Sequence, residues 1–312
     1  MRRAKIISGI VTPILGVTML AACSGSGGTT GANADVTVTG AYGKAPTVTI
    51  PSTAAGSALT VKTLVQGNGA QVSSSAAFVA NYVLYLWDGS SHKQVEDTFT
   101  SSPQLIDGTL VPGLTTALDG KKVGSRVLAI VPPADAYGSS GNSEEGINGS
   151  DTMVFVVDLL GVIADNADIS GSQTQAGPGL PTVSNTTGTA PAITIPSSAP
   201  PSRLTTKTLV QGTGPAVSAA EYVVVQYTGV NWRTGKVFDS SWSRDQPLGF
   251  QVDVPNSVIL GLDTGLLGQR VGSRVLVVVP PADGYGSKGE SSAGIEGTDT
   301  LVFVVDILGV FG

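Results

Sequence analysis

The side chains that most often make and break covalent bonds are scarce in this 312-residue chain. It contains one cysteine, Cys23, and one histidine, His92. Because no histidine follows residue 92, a Ser-His-Asp hydrolase is excluded in the second half of the chain. A lone cysteine can supply neither an intramolecular disulfide nor a cysteine-based metal site. Glu144 and Glu145 lie in a loop rich in serine and glycine, and we expect them to be solvated rather than to work as an acid pair.

A series of short motifs in the second half of the chain carries a more specific signal. It comprises VQYTG at 225–229, GKVFDSS at 235–241, Arg244, Pro247, VI at 258–259, Gly261, Gly265, VG at 271–272, PP at 280–281, YG at 285–286, Ile295 and TLVF at 300–303. In order and spacing, this set resembles the FKBP-type peptidyl-prolyl cis-trans isomerases from about residue 205 to residue 312. The resemblance implies an antiparallel sheet wrapped around one short helix, with an apolar pocket between them.

The resemblance also implies which residues form the pocket. The implied catalytic residues are Tyr227, Phe238, Asp239, Tyr285 and Phe303, and the implied substrate-binding residues are Arg244, Leu248, Phe250, Val258, Ile259, Leu262 and Ile295. Asp239 and Arg244 are expected at the polar rim. The hydroxyl of Tyr285 and the backbone N–H of Ile295 are expected to meet carbonyl groups of the substrate.

The sequence departs from the family pattern at three places. Leu262 stands at the pocket floor, where the family usually has tryptophan, and Leu248 stands at an aromatic wall position. Ile295 is followed by Glu296 and Gly297 instead of an Ile-Pro-Pro run. These changes keep the implied cavity apolar but alter its depth and its stacking surface.

The implied reaction needs no nucleophile, metal or cofactor. Rotation about an X-Pro amide is opposed by roughly 18–20 kcal/mol, although the cis and trans forms differ by only about 0.5–1 kcal/mol. A catalyst therefore has only to bind the twisted amide better than either planar form. An apolar cavity favours the twisted amide because water stabilises the more dipolar planar form.

Two other functions are compatible with the sequence. A non-catalytic binding module or chaperone would use both pockets to hold proline-containing segments, and Leu262 favours this alternative. A purely structural cell-surface protein would bind no macrolide ligand of the family in either half.

An internal repeat divides the chain into two domains. KTLVQG at 62–67 recurs at 207–212, and VGSRVL at 123–128 recurs at 271–276. We expect a signal peptide at 1–22, a flexible tether at 23–36, one FKBP-like domain at 37–163, a linker at 164–188 and a second domain at 189–312. The second domain is expected to carry the activity.

The first copy is expected to have a degenerate pocket. Aligning Tyr85 with Tyr227 places Glu96 where Phe238 stands, and a carboxylate there would spoil an apolar pocket. The alignment keeps Asp97 and lacks a counterpart of Arg244. Leu114 again replaces the floor tryptophan. This copy is therefore expected to be weak or inactive as an enzyme, and to serve as a spacer or a binding module.

Composition and periodicity predict an α+β fold in each copy. The chain is rich in Gly, Val, Thr and Ser and only 13% charged, which favours short β-branched strands joined by tight turns. Leu301, Phe303, Val305 and Ile307 alternate along one strand and share a face. A short helix capped by Asn256 or Ser257 is expected between this last strand and the strand that contains Val223, Val225 and Tyr227, with about five or six strands in the sheet.

The N-terminus has the pattern of a bacterial lipoprotein signal. Three bases precede an apolar stretch too short to span a bilayer, and the sequence LAAC at 20–23 resembles a lipobox that would make Cys23 the lipidated residue. The expected location is the outer face of the cytoplasmic membrane, where proline-containing polypeptides would be the partners and macrolide inhibitors possible ligands. Without the bases of the leader, 14 basic residues face 23 acidic ones, and a net charge of −9 disfavours nucleic-acid binding.

Overall fold

The computed structural model describes residues 32–73, 76–89, 91–108, 110–163, 169, 171–184, 188–255 and 257–312. The chain divides into a first unit, Met1–Val162, and a second unit, Ile163–Gly312. Cys23, the predicted signal peptide and most of the predicted tether lie outside the described residues. In the part of the chain that is described, no helix combines the length and hydropathy needed to cross a bilayer.

The first unit contains eight strands and one α-helix among its described residues. They are Thr37–Thr39 (β1), Thr47–Thr49 (β2), Thr60–Val65 (β3), Phe78–Trp87 (β4), His92–Asp97 (β5), Gln104–Ile106 (β6), Pro112–Leu118 (α1), Arg126–Val131 (β7) and Thr152–Val162 (β8). Six of the strands form one antiparallel sheet in the order β3-β7-β8-β4-β5, with β6 also paired to β4. The strands β1 and β2 form a separate hairpin.

The second unit repeats this arrangement. Its elements are Thr182–Ser184 (β9), Ala192–Thr194 (β10), Thr205–Val210 (β11), Tyr222–Asn231 (β12), Val237–Ser240 (β13), Leu248–Gln251 (β14), Leu260–Leu266 (α2), Arg274–Val279 (β15) and Leu301–Phe311 (β16). The sheet order is β11-β15-β16-β12-β13, with β14 paired to β12. The predicted α+β fold, with two tandem copies of one antiparallel sheet and one short helix, is confirmed.

The main core of the second unit lies between α2 and the inner face of the sheet. Leu301, Phe303, Val305 and Ile307 all belong to this core, as the alternation along β16 predicts. The helix approaches the sheet closely because it presents glycine. A Cβ atom at Gly265 would lie 2.7 Å from a Cγ atom of Val277, so no side chain fits there without movement.

The helix begins later than the sequence predicted. Its first residue is Leu260, and Ile259 is the N-cap with an extended backbone and no side-chain capping bond. Ser257 is therefore not the cap, and Asn256 lies outside the described residues. Val258 and Ile259 are β-branched and lose side-chain freedom in a helix, so the extended conformation suits them better. It also lets both side chains pack against the core.

The outer face of each sheet is covered by the chain that precedes it, which the sequence did not predict. In the first unit, β1 and β2 lie over Val83, Trp87 and Leu128, and in the second unit β9 and β10 lie over a matching cluster. Val183 is only 1% exposed, although it falls in the predicted linker. Part of that linker is thus a folded layer of the second unit, because the outer face of its sheet is apolar and must be covered.

A buried ion pair anchors this outer layer in each unit. The guanidinium of Arg126 makes two hydrogen bonds to Asp158, of 2.6 and 2.7 Å, and donates to the carbonyl oxygens of Gly40 and Lys44 in the β1–β2 turn. Arg274 and Asp306 form the equivalent pair at 2.7 Å. Both charges of each pair are compensated by hydrogen bonds, as burial requires.

Candidate functional site

Most of the pocket residues implied by the sequence converge on one apolar cluster in the second unit. Its fully buried members include Tyr227, Phe250, Leu262, Ile295 and Phe303, and Phe238, Leu248, Val258, Ile259 and Tyr285 pack against it with part of their surface exposed. Strands β12, β14 and β16 supply one wall, and α2 with the segment before it supplies the other. The partly exposed residues mark the side on which the cluster opens to solvent.

Three aromatic rings stand together at this opening. The ring of Phe303 lies 5.6 Å from that of Phe238 in an edge-to-face arrangement and 6.3 Å from that of Tyr227. The ring of Phe238 lies directly on the strand β12 because residue 229 is glycine. A Cβ atom there would come within 2.7 Å of the Phe238 ring. Gly229 is thus needed for the position of Phe238.

A polar triad forms the rim beside these rings. The hydroxyl of Tyr227 donates to one carboxylate oxygen of Asp239, and the guanidinium of Arg244 donates to the other. Arg244 also donates to the Tyr227 hydroxyl over 3.1 Å. The side chains of Asp239 and Arg244 are 41% and 45% exposed, so they lie at the edge of the site. Burial, reinforced by the bond to Asp239, raises the pKa of Tyr227 to about 12, so this hydroxyl stays protonated at physiological pH.

The backbone donor expected at Ile295 is not available to a ligand. Its N–H donates to the carbonyl of Glu290 over 3.0 Å, and Glu290 donates back to Ile295. The prediction for this N–H is therefore wrong, because a local bridge in the loop uses the group. The side chain of Ile295 is buried in the cluster, as expected for a pocket wall.

Ile259 offers the donor instead. Among the described residues, no acceptor is bound to its backbone N–H. The residues at the start of a helix have N–H groups without intrahelical acceptors, and this general rule could have singled out Ile259 from the sequence. The hydroxyl of Tyr285 is a second free donor within the described part of the chain, and burial raises its pKa above the usual value.

Strand pairing corrects the alignment of the first unit. In the second unit, Tyr227 lies opposite Val305 in the sheet. Val157 is the counterpart of Val305 in the first unit, and the residue opposite it is Tyr82. The ring of Tyr82 lies 6.5 Å from that of Phe155, which repeats the contact between Tyr227 and Phe303. Tyr82 is thus the counterpart of Tyr227. Tyr85 is three residues further along the strand, on the outer face.

The corrected alignment also changes which residues of the second unit correspond to Glu96 and Asp97. Glu96 lies opposite Leu84 as Asp239 lies opposite Gly229, so Glu96 occupies the position of Asp239 and not that of Phe238. The residue at the Phe238 position is Val95, in the bulge that interrupts the pairing of β4 and β5. Asp97 instead faces away and caps a short 3-10 helix by accepting the N–H of Phe99 over 3.0 Å.

The first unit nevertheless contains a small apolar cavity of about 40 Å³ that is partly open to solvent. Residues that line it include Ala80, Tyr82, Ile106, Val111, Leu114 and Phe155. Two of these are smaller than their counterparts, since Ile106 stands at the position of Phe250 and Ala80 at that of Val225. The predicted degeneracy of this pocket therefore concerns its rim, which lacks an aromatic residue at the Phe238 position and an arginine at the Arg244 position, and not its apolar interior.

Comparison with known proteins agrees with this architecture. The family model of the FKBP-type peptidyl-prolyl cis-trans isomerases matches residues 69–160 and 214–308, together more than half of the chain. An FK506-binding protein of Streptomyces anulatus is 38% identical over 120 residues, which cover 38% of this chain and 96% of the relative. The isomerase FKBP9 of Mus musculus is 29% identical over 241 residues, which cover 74% of this chain but only 35% of the relative.

Among solved structures, FkpA from Escherichia coli is 37% identical in the aligned region, with a TM-score of 0.32. The aligned region covers 35% of this chain and 48% of the FkpA chain. The family match covers both units and includes both helices and most strands of each sheet. The chain therefore belongs to the FKBP-type peptidyl-prolyl cis-trans isomerase family, with one copy of the family's domain in each unit.

Proposed function

We propose that the isomerase activity of this protein resides in the second unit, in the pocket enclosed by Phe238, Tyr285 and Phe303. The observation that supports this assignment is the triad of Tyr227, Asp239 and Arg244 beside those rings. The triad compensates the charge of Asp239 at the edge of an otherwise apolar site. The first unit has the apolar interior but lacks the aromatic residue and the arginine.

The reaction follows from the character of this pocket. The proline ring of the substrate packs against Phe238 and Phe303, which removes the X-Pro amide from water. Because the planar amide depends on water for part of its stability, the apolar surroundings favour the twisted transition state. The N–H of Ile259 and the hydroxyl of Tyr285 bind carbonyl oxygens of the peptide and keep its flanking segments in place.

Asp239 orients the rim in this proposal and transfers no proton. Its two carboxylate oxygens accept hydrogen bonds from Tyr227 and Arg244, which fixes the ring of Tyr227 against the pocket. Macrolide inhibitors of the family bind in the same pocket and compete with the peptide.

A matched pair of variants tests the assignment in the full-length chain. Phe238→Ala should lower kcat/KM for an Ala-Pro peptide by about tenfold or more, which corresponds to a loss of about 1.4 kcal/mol of transition-state binding. Val95→Ala changes the equivalent position of the first unit and should leave turnover unchanged. A Phe238→Ala variant with normal turnover, or a loss on Val95→Ala, contradicts the proposal.

The substrates we propose are X-Pro bonds of exported or surface polypeptides, whose uncatalysed isomerisation takes tens to hundreds of seconds. Support comes from the leader pattern and from LAAC at 20–23, which together favour a lipid anchor at Cys23 on the outer face of the bacterial cytoplasmic membrane. In a bacterial host, the wild-type chain should partition with membranes, and Cys23→Ser should leave the membrane fraction. Equal partitioning of the two would exclude the anchor.

A further inference from the structure

The cavity of the first unit has a different electrostatic surrounding from the pocket of the second. Tyr82 connects the two parts of this site, because its ring lines the cavity and its hydroxyl lies near the carboxylate of Glu96; burial and the charge of Glu96 raise the pKa of this hydroxyl. Glu96 is half-buried and lies opposite Leu84, two residues along the strand from Tyr82. In the second unit the same arrangement holds Asp239 against Tyr227, but there Arg244 balances the charge.

The residue at the Arg244 position of the first unit is Ser101. Thr98 accepts the N–H of Tyr82 over 2.7 Å, as Ser241 accepts the N–H of Tyr227 over 2.7 Å. Ser101 lies three residues after Thr98, and Arg244 lies three residues after Ser241. In each unit the backbone N–H of the later residue donates to the carbonyl of the earlier one and closes the turn. The first unit therefore keeps the carboxylate and loses the cation.

A second carboxylate adds to this imbalance. Glu145 is half-buried in the loop between Tyr137 and Ile147, both of which pack on the core of the first unit. The charge of Glu145 contributes to the raised pKa values of Tyr82, Glu96 and Tyr137, which places it close to all three groups. The loop position alone did not reveal this placement. By the repeat offset of 148 residues, the counterpart of Glu145 is Ala293, which is uncharged.

These two carboxylates have no counter-ion within the described part of the chain, where neither Glu96 nor Glu145 takes part in an ion pair. A ligand that places an apolar group in the cavity would therefore bring its neighbouring atoms next to two uncompensated negative charges. Attraction between opposite charges is strongest where water is partly excluded, as it is beside this cavity.

We propose that the first unit is a binding site for polypeptide segments in which a lysine or arginine adjoins proline or a bulky aliphatic residue. The aliphatic or proline side chain occupies the cavity, and the basic side chain pairs with Glu96 and Glu145. The two domains of the chain then differ in role. One holds basic, apolar segments of a polypeptide, and the other isomerises X-Pro bonds.

The test uses the full-length chain and fluorescently labelled pentapeptides. Two peptides share a leucine–proline pair and differ only in carrying lysine or glutamate before it, and a third carries lysine before two glycines. By fluorescence anisotropy at low salt, the lysine–leucine–proline peptide should bind at least about fivefold more tightly than either of the others. An exposed ion pair is worth up to about 1 kcal/mol, which corresponds to that factor.

The site is located by charge-neutralising variants. The double variant Glu96→Gln/Glu145→Gln should remove the preference for lysine over glutamate. Glu144→Gln is the matched control, because it removes the same charge from the exposed neighbouring residue, and it should keep the preference. Any binding to the second unit contributes equally to all variants. Absence of a lysine preference in the wild type, its persistence in the double variant, or an equal loss in Glu144→Gln overturns the proposal.

Discussion

The carboxylate next to the pocket tyrosine shows how one position acquires different properties in the two units. Asp239 is bound by both Tyr227 and Arg244. Glu96, its equivalent, lies near Tyr82 and Glu145. Burial raises the pKa of Glu96 above its ordinary value of 4.5, the Tyr82 hydroxyl opposes the shift, and the charge of Glu145 adds to it. The ionised form of Glu96 is therefore disfavoured in the folded first unit.

This shift makes a prediction about stability. A carboxyl group with a raised pKa in the folded state contributes most to stability below its unfolded pKa, and the contribution is lost as pH rises through the folded pKa. Glu96→Gln removes the charge and should raise the Tm of the first unit at neutral pH by roughly 1–3 °C. Below about pH 3, where glutamate is protonated in both states, the two Tm values should coincide.

Differential scanning calorimetry of the full chain at both pH values measures the effect. Glu144→Gln again serves as the control, because Glu144 is exposed and its Tm should not change. A Tm for Glu96→Gln below that of the wild type at neutral pH would mean that the carboxylate is stabilised where it lies.

Single residues also show where prediction from the sequence ends. The pocket residues of the second unit were predictable because their types and spacing match a family pattern. Tyr82 and Tyr85 could not be distinguished in the same way, because both are aromatic residues in one apolar strand. An interval of three residues places them on opposite faces of the sheet, and only the pairing with β8 decides which one faces the pocket.

At the scale of elements, the contact between helix and sheet depends on the side-chain volumes of one helix residue and the strand residue that faces it. In the second unit Gly265 faces Val277, and a Cβ atom on the glycine would lie 2.7 Å from a valine methyl carbon. In the first unit the equivalent positions hold Ala117 and Ala129, both fully buried. In the first unit, the helix therefore has a larger residue than in the second (alanine instead of glycine), and the facing strand has a smaller one (alanine instead of valine).

We therefore predict that the two positions are coupled. Gly265→Ala alone should be destabilising by about 1–3 kcal/mol through overpacking, partly offset by the higher helix propensity of alanine. Val277→Ala alone should also be destabilising, because it leaves a cavity. The double variant should be more stable than the sum of the two changes predicts, by about 1 kcal/mol or more.

Hydrogen exchange of β15 peptides in the full chain measures these free energies for the second unit alone. Additive effects would show that the helix shifts away from the sheet to accommodate alanine, and that the volumes are not matched.

The outer hairpins mark the limit of prediction for elements. The strands β1, β2, β9 and β10 are only three residues long, and they occur in segments whose Gly, Ser and Thr content is typical of linkers. Their position depends on long-range contacts, such as the bonds from Arg126 to Gly40 and Lys44. No local pattern in the sequence encodes contacts over more than 80 residues.

At the scale of the whole molecule, the chain combines two copies of one fold with different pockets. The internal repeat predicted both copies and their common topology, because the core alternation is preserved in each. The division of roles that we propose depends on exchanges at a few positions. Gly229 and Phe238 in the second unit correspond to Leu84 and Val95 in the first, and these pairs decide whether an aromatic ring can lie against the strand.

The most direct test of the central claim transfers this pair between the units. The double variant Gly229→Leu/Phe238→Val gives the second unit the two residues that the first unit already accommodates, with Leu84 only 1% exposed. It should fold normally by circular dichroism, and its prolyl isomerisation rate should fall to that of a Phe238→Ala/Phe303→Ala variant. If the variant isomerises an Ala-Pro peptide at the wild-type rate, the pocket of the second unit is not the site of catalysis.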